Sequence, residues 1–138
     1  MCIFCDKIKE LPSNLKTSYW AIIEDKYPVN KGHLLIVPKR HIATTDELTA
    51  NEWHELQSVL STAKKLINDE GIQKDIFGKI ITTEDTYPDG FNIGINEGEA
   101  AGQTINHLHI HVIPRYLGDV EDPTGGVRGV IPNKQKYK

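Results

Sequence analysis

Apolar residues follow two different periods along this chain. From Tyr19 to Glu24 (Tyr-Trp-Ala-Ile-Ile-Glu) and from Gly32 to Val37 (Gly-His-Leu-Leu-Ile-Val), short runs rich in aromatic and β-branched residues predict two strands. Pro28 and Asn30 between them predict a hairpin-type connection, and Pro38 ends the second strand. After Thr45 the spacing changes: Trp53, Leu56, Leu60, Ala63 and Ile67 recur every three or four residues, as one apolar helix face requires. Thr49 followed by Glu52 fits a reciprocal N-terminal cap and Gly71 a left-handed stop, which predicts a helix over 49–70. Phe77 to Thr83, Phe91 to Ile95 and Asn106 to Ile113 predict three more strands.

The order ββαβββ with short links predicts an α+β fold, a five-stranded antiparallel meander with the long helix packed on one face. A chain of 138 residues suits one domain. The body is expected at 1–117, and the Gly- and Pro-containing tail at 118–138 is expected to be irregular, either part of the same domain or mobile.

Composition narrows the function. Sixteen basic against nineteen acidic residues give a net charge of −3, with no extended basic stretch, which argues against long nucleic acid as a partner. No apolar run approaches the roughly 20 residues that cross a bilayer, and the N-terminus shows no leader pattern. A cytoplasmic protein with no membrane partner is therefore expected. In that compartment, Cys2 and Cys5, spaced C-x-x-C, favour a metal site or a redox pair over a structural disulfide. The redox reading wants the pair at a helix start inside a βαβ unit, which the predicted order does not offer.

The densest chemistry lies in Gly102-Gln103-Thr104-Ile105-Asn106-His107-Leu108-His109-Ile110-His111-Val112-Ile113. On a strand, alternation puts His107, His109 and His111 on one face and Leu108, Ile110 and Val112 on the other. Three imidazoles in strict alternation, just after a Gly-Gln-Thr loop, are too many for an ordinary solvent-facing strand.

This His-φ-His-φ-His-φ-φ pattern (φ apolar) resembles the signature of the histidine triad (HIT) family. The resemblance extends to Cys2-Ile3-Phe4-Cys5, to Gly32 through His41, to Asn96-Glu97-Gly98 and to Pro114-Arg115, and so covers most of residues 1 to 116. It implies a HIT-like fold, a homodimer and a nucleotide hydrolase. In that enzyme His109 attacks the α-phosphate of a purine nucleotide conjugate, a dinucleoside polyphosphate or a nucleoside phosphoramidate. A nucleotidyl-histidine intermediate forms, and water then releases the nucleoside monophosphate. Imidazole suits the task because its near-neutral pKa keeps an unprotonated nitrogen available. His111 is then a second catalytic residue at the same phosphate, where relatives in the uridylyltransferase branch carry Gln.

The same resemblance implies nucleotide contacts from Asn96, Gly102, Gln103 and Thr104 on the phosphate side, Asp25 on the ribose hydroxyls, and Ile3, Phe4 and Ile23 around the base. His33 resembles a histidine that supports the triad from the neighbouring strand. It also implies the zinc-containing, bacterial-type branch, with structural Zn2+ held by Cys2, Cys5, His41 and His107. The alternative function is a nucleotide-binding sensor or scaffold whose turnover is incidental.

Overall fold

The computed structural model describes residues 2–70, 73–74, 80–81 and 87–137. The chain opens with a helix, α1 (Ile3–Glu10), followed by strands β1 (Trp20–Glu24) and β2 (Leu34–Pro38) and the long helix α2 (Ala50–Glu70). Two-residue strands β3 (Gln73–Lys74) and β4 (Ile80–Ile81) come next, then β5 (Gly90–Ile95) and β6 (Ile110–Arg115).

The main sheet has four strands in the order β1-β2-β6-β5, all antiparallel to their neighbours. This corrects the expected five-stranded meander. The strand expected at Phe77 to Thr83 is described only at Ile80–Ile81, where it pairs with β3 in a separate two-stranded sheet. The last strand does not follow β5 outward but enters between β2 and β5. It pairs Leu35 with His111 on one side and Gly94 with His111 on the other. The expected stop at Gly71 lies outside the described residues.

Both faces of the sheet are covered, which is why β2 reads as an unbroken apolar run and is buried throughout. On one face Trp20, Ile22, Leu34, Ile36, Leu108, Ile110 and Val112 pack against Leu56, Val59, Ala63 and Ile67 of α2. On the other, Ala21, Ile23, Leu35 and Val37 receive Phe4 and Ile8 of α1. The start of α2 is capped as expected: the Thr49 amide donates to Glu52 Oε1 at 2.9 Å and the Glu52 amide to Thr49 Oγ1 at 3.1 Å. The buried stripe is rotated by one position from the expected one. Val59 is buried and Trp53 is 50% exposed, because Trp20, whose indole N–H donates to the Glu52 carbonyl at 2.9 Å, already fills the space at that end of the helix.

α1 is absent from the sequence-based expectation. Cys2 is its N-cap, with Sγ accepting from the Cys5 amide at 3.4 Å, and Phe4 and Ile8 form its buried edge. The C-x-x-C pair therefore sits at a helix start after all, although not within a βαβ unit. The tail forms 3-10 turns at Gly126–Val130 and Pro132–Lys134, the first lying against β5. Among the described residues no helix is long and apolar enough to cross a membrane.

Candidate active site and metal cluster

The triad segment meets the sheet only at its end. His107 and His109 precede the first residue of β6, while His111 lies within it. Alternation still holds, because Leu108, Ile110 and Val112 face α2 and the histidines face α1. A backbone bond from the Leu108 amide to the Ile42 carbonyl, 2.6 Å, draws the segment after β2 alongside and brings His41 to His107.

The backbone decides which nitrogen of each ring carries the proton, since a carbonyl can only accept and an amide can only donate. His109 Nδ1 lies 2.8 Å from the His107 carbonyl and so donates to it, leaving Nε2 with its lone pair free. His33 is the reverse. The Val29 amide donates to its Nδ1 at 3.1 Å, so neutral His33 is protonated on Nε2 and donates to His111 Nδ1 at 3.0 Å. His111 in turn carries its proton on Nε2.

Burial lowers the pKa of both His33 and His111, with the neighbouring rings His109 and His33 adding to the effect at His111 and Asp25 opposing it at both. Both are neutral at physiological pH. A lone-pair nitrogen on His109 and an N–H on His111 thus stand side by side, with ring centroids 5.2 Å apart.

These two histidines line one end of a cleft of about 380 Å³, together with Asn96, Gly102 and Thr104. Gly102 holds a left-handed conformation (φ 96°), which a residue with a side chain adopts only with strain. Gly94, the cross-strand neighbour of His111, adds no side chain on that side. Asp25 borders the cleft, with Oδ1 accepting from the Tyr27 amide at 2.8 Å and Oδ2 3.4 Å from His33 Nε2. Ile3 and Phe4 also line the cleft, with the Phe4 ring edge-on to His109 at 5.2 Å between centroids.

Two residues expected at the nucleotide are placed differently from the rest. Ile23 is buried beneath Phe4, and Leu35 forms the cleft wall instead. Gln103 lies outside the cleft lining, and its amide braces the loop by donating to the Ala43 and Ile105 carbonyls and accepting from the Gly98 amide.

Lys7, Tyr27, Leu35 and Ile105 line the cleft and were not singled out from sequence. Lys7 follows Ile3 by one helical turn, a spacing legible only once α1 is recognised.

Beside the cleft, Cys2, Cys5, His41 and His107 converge, with their ligand atoms all within 4.8 Å of one another. The closest pairs are Cys2 Sγ–His107 Nδ1 at 3.4 Å, Cys5 Sγ–His41 Nδ1 at 3.3 Å and His107 Nδ1–His41 Nδ1 at 3.2 Å. A tetrahedron with metal–sulfur and metal–nitrogen bonds of about 2.3 and 2.0 Å has edges of about 3.3 to 3.8 Å, so the spacing suits one small ion. His107 Nε2 donates to the Pro38 carbonyl at 2.8 Å, which turns the unprotonated Nδ1 toward the thiols, as a metal-ligating histidine requires.

Asp25, His33 and His111 also cluster. There the Val29 amide occupies His33 Nδ1, so ligation through Nε2 would demand a doubly deprotonated ring, and the hydrogen-bonded chain fits better.

The fold and this histidine arrangement define a class of α+β domain with a histidine-lined cleft, and comparison with known proteins gives the family. The HIT domain model matches residues 11–118, and the chain belongs to that family. It is 39% identical over 124 residues to an uncharacterised HIT-like protein of Methanocaldococcus jannaschii, covering 88% of this chain and 84% of that one. It is 38% identical over 109 residues to the AP-4-A phosphorylase of Mycobacterium tuberculosis, covering 77% of this chain but only 48% of that protein. Among solved structures, a Zn-bound histidine triad family protein from Mycobacterium smegmatis superposes with a TM-score of 0.65 at 27% identity, covering 88% of this chain and 79% of that one.

Proposed function

We propose that the chain hydrolyses purine nucleotide conjugates at the α-phosphate. The observation that carries this reading is the pair of opposite tautomers at the phosphate end of the cleft. His109 Nε2 offers a lone pair to phosphorus, and His111 Nε2–H offers a hydrogen bond to the atom that departs. As the bond from His109 to phosphorus forms, the bond from phosphorus to the leaving group breaks. Water then displaces His109 and releases the nucleoside monophosphate. The amides and side chains around Gly102, Thr104 and Asn96 face the oxygens on which charge is spread. Asp25 lies where the ribose hydroxyls would fall, and Ile3, Phe4 and Leu35 supply the apolar walls for the base.

Zinc at Cys2, Cys5, His41 and His107 belongs to the same reading, supported by the donor set, its spacing and the Zn-bound relative. Four protein ligands close the site, so its role is structural. They would tie the start of α1, and with it Ile3 and Phe4, to the segment that carries His109. A homodimer, the remaining implication of the family, would have the half-exposed Trp53 of α2 available for its interface.

The test is release of nucleoside monophosphate from adenosine phosphoramidate and from diadenosine tetraphosphate, followed by chromatography for the wild type and His109→Ala. Release by the wild type alone is expected. Absence of release from either substrate, with monophosphate still bound, would replace this reading with a sensor or scaffold.

A further inference from the structure

We infer that Lys7 reads the 6-position of the purine, so that this cleft prefers 6-oxopurine nucleotides, those of guanine and hypoxanthine, over adenine nucleotides. The inference rests on the proposed function in one respect: the nucleotide lies with its phosphate at His109 and its base against the apolar walls that α1 supplies.

The direction of α1 places Lys7 at the base. Cys2, before the helix, lies 3.4 Å from His107, and the Phe4 ring is centred 5.2 Å from that of His109. Lys7 follows Ile3 on the same helical stripe, about 6 Å further along the axis than Ile3 and beyond Cys2, the residue of this segment that meets His107. Both residues line the cleft, whose walls at this end are Ile3, Phe4, Leu35 and Ile105. An ammonium set among apolar walls favours a ligand that returns the hydrogen bonds lost on leaving water. Among the described residues, Lys7 Nζ makes no hydrogen bond or ion pair, and its side chain is half-buried.

The other charged residues bordering the cleft do not duplicate it. Lys26 holds its ammonium over the ring of Tyr27, 5.7 Å from the centroid. Glu24, exposed at the end of β1, also borders the cleft and brings an acceptor to it rather than a second donor. Asp25 is directed toward His33 and His111.

The base edge then decides. Guanine and hypoxanthine present two adjacent acceptors, O6 and N7, to one ammonium, a pairing lysine uses wherever it reads guanine. Adenine presents its N6 amino group at the same place, a donor facing a donor. A hydrogen bond to a charged group at a partly exposed site discriminates by about tenfold in affinity.

The experiment is calorimetric titration of GMP, IMP and AMP into the full chain, as wild type, Lys7→Met and Lys7→Arg, with circular dichroism to verify folding. GMP and IMP are expected to bind about tenfold more tightly than AMP to the wild type. Lys7→Met brings both down toward AMP, and Lys7→Arg retains the preference. Equal binding of all three to the wild type, or a preference that survives Lys7→Met, overturns the inference and leaves the proposed function standing. So does a preference for GMP that IMP does not share, since the 2-amino group would then be the determinant. If Lys7→Met fails to fold, the wild-type ratios and Lys7→Arg still decide. Loss of all measurable binding to the wild type overturns the proposed function and this inference together.

Discussion

Replacing His33 tests whether the backbone sets the tautomer of His111. His33 is buried and sits between two partners, accepting from the Val29 amide at 3.1 Å and donating to His111 Nδ1 at 3.0 Å. His33→Leu removes both bonds. Val29 is exposed, so its amide regains water at little cost, whereas His111 loses the donor that fixes both its ring orientation and the position of its proton. One net hydrogen bond contributes about 1 kcal/mol, which corresponds to roughly a fivefold to tenfold loss in kcat. KM should change by no more than about twofold, because the apolar end of the cleft is untouched. His33→Gln should recover most of the rate, since a side-chain amide presents an acceptor and a donor at about the separation of the two ring nitrogens. The assay is steady-state release of nucleoside monophosphate for the three proteins, with thermal melts confirming that each is folded. A His33→Gln variant as slow as His33→Leu, both being folded, would refute the reasoning, as would a His33→Leu variant at full rate.

Leu108 is fully buried between β2 and α2, so Leu108→Ala should lower unfolding free energy by about 3 kcal/mol in urea titration, and a loss below about 1 kcal/mol would contradict the packing described. His33 and His111 both have pKa values below 6.5, so the unfolded chain binds more protons than the folded one as pH falls; stability is therefore present above that value and declines below it. The melting temperature should drop between pH 7.5 and 5.5, and His33→Gln should flatten the profile. Cys5→Ser should reduce the metal content of the purified protein, read by elemental analysis, and weaken protection of α1 amides in hydrogen exchange; undiminished zinc in that variant would remove Cys5 from the ligand set.

Much of this architecture was legible because local pattern and tertiary environment agree. The alternation of His107, His109 and His111 with Leu108, Ile110 and Val112 is a period-two signal, and the two faces of the sheet honour it although only His111 lies in the strand proper. The reciprocal Thr49–Glu52 cap is equally local, and it formed as expected. Strand order is different. Antiparallel alternation states which face a residue takes but not which strand lies beside it, so placing β6 between β2 and β5 required the fold itself. α1 escaped because its apolar edge consists chiefly of Phe4 and Ile8, too short a period to distinguish from a loop around a metal motif. Trp53 shows the reverse error: a large apolar residue at a plausible helical spacing, left half in solvent because the neighbouring stripe already filled the core.

The insertion of the last strand also governs how the protein comes into being. β2 and β5 have no hydrogen bonds to one another and are joined in the sheet only through β6. During synthesis, then, the β1–β2 pair and β5 emerge unconnected, and the cleft has no existence until the histidine segment that leads into β6 has been made. The long-range pairing of Leu35 with His111 closes a loop containing α2, a costly step that comes late and makes assembly slow. A message truncated before β6 yields a product with an exposed apolar edge on β2, a substrate for chaperones and proteases rather than a partly active enzyme.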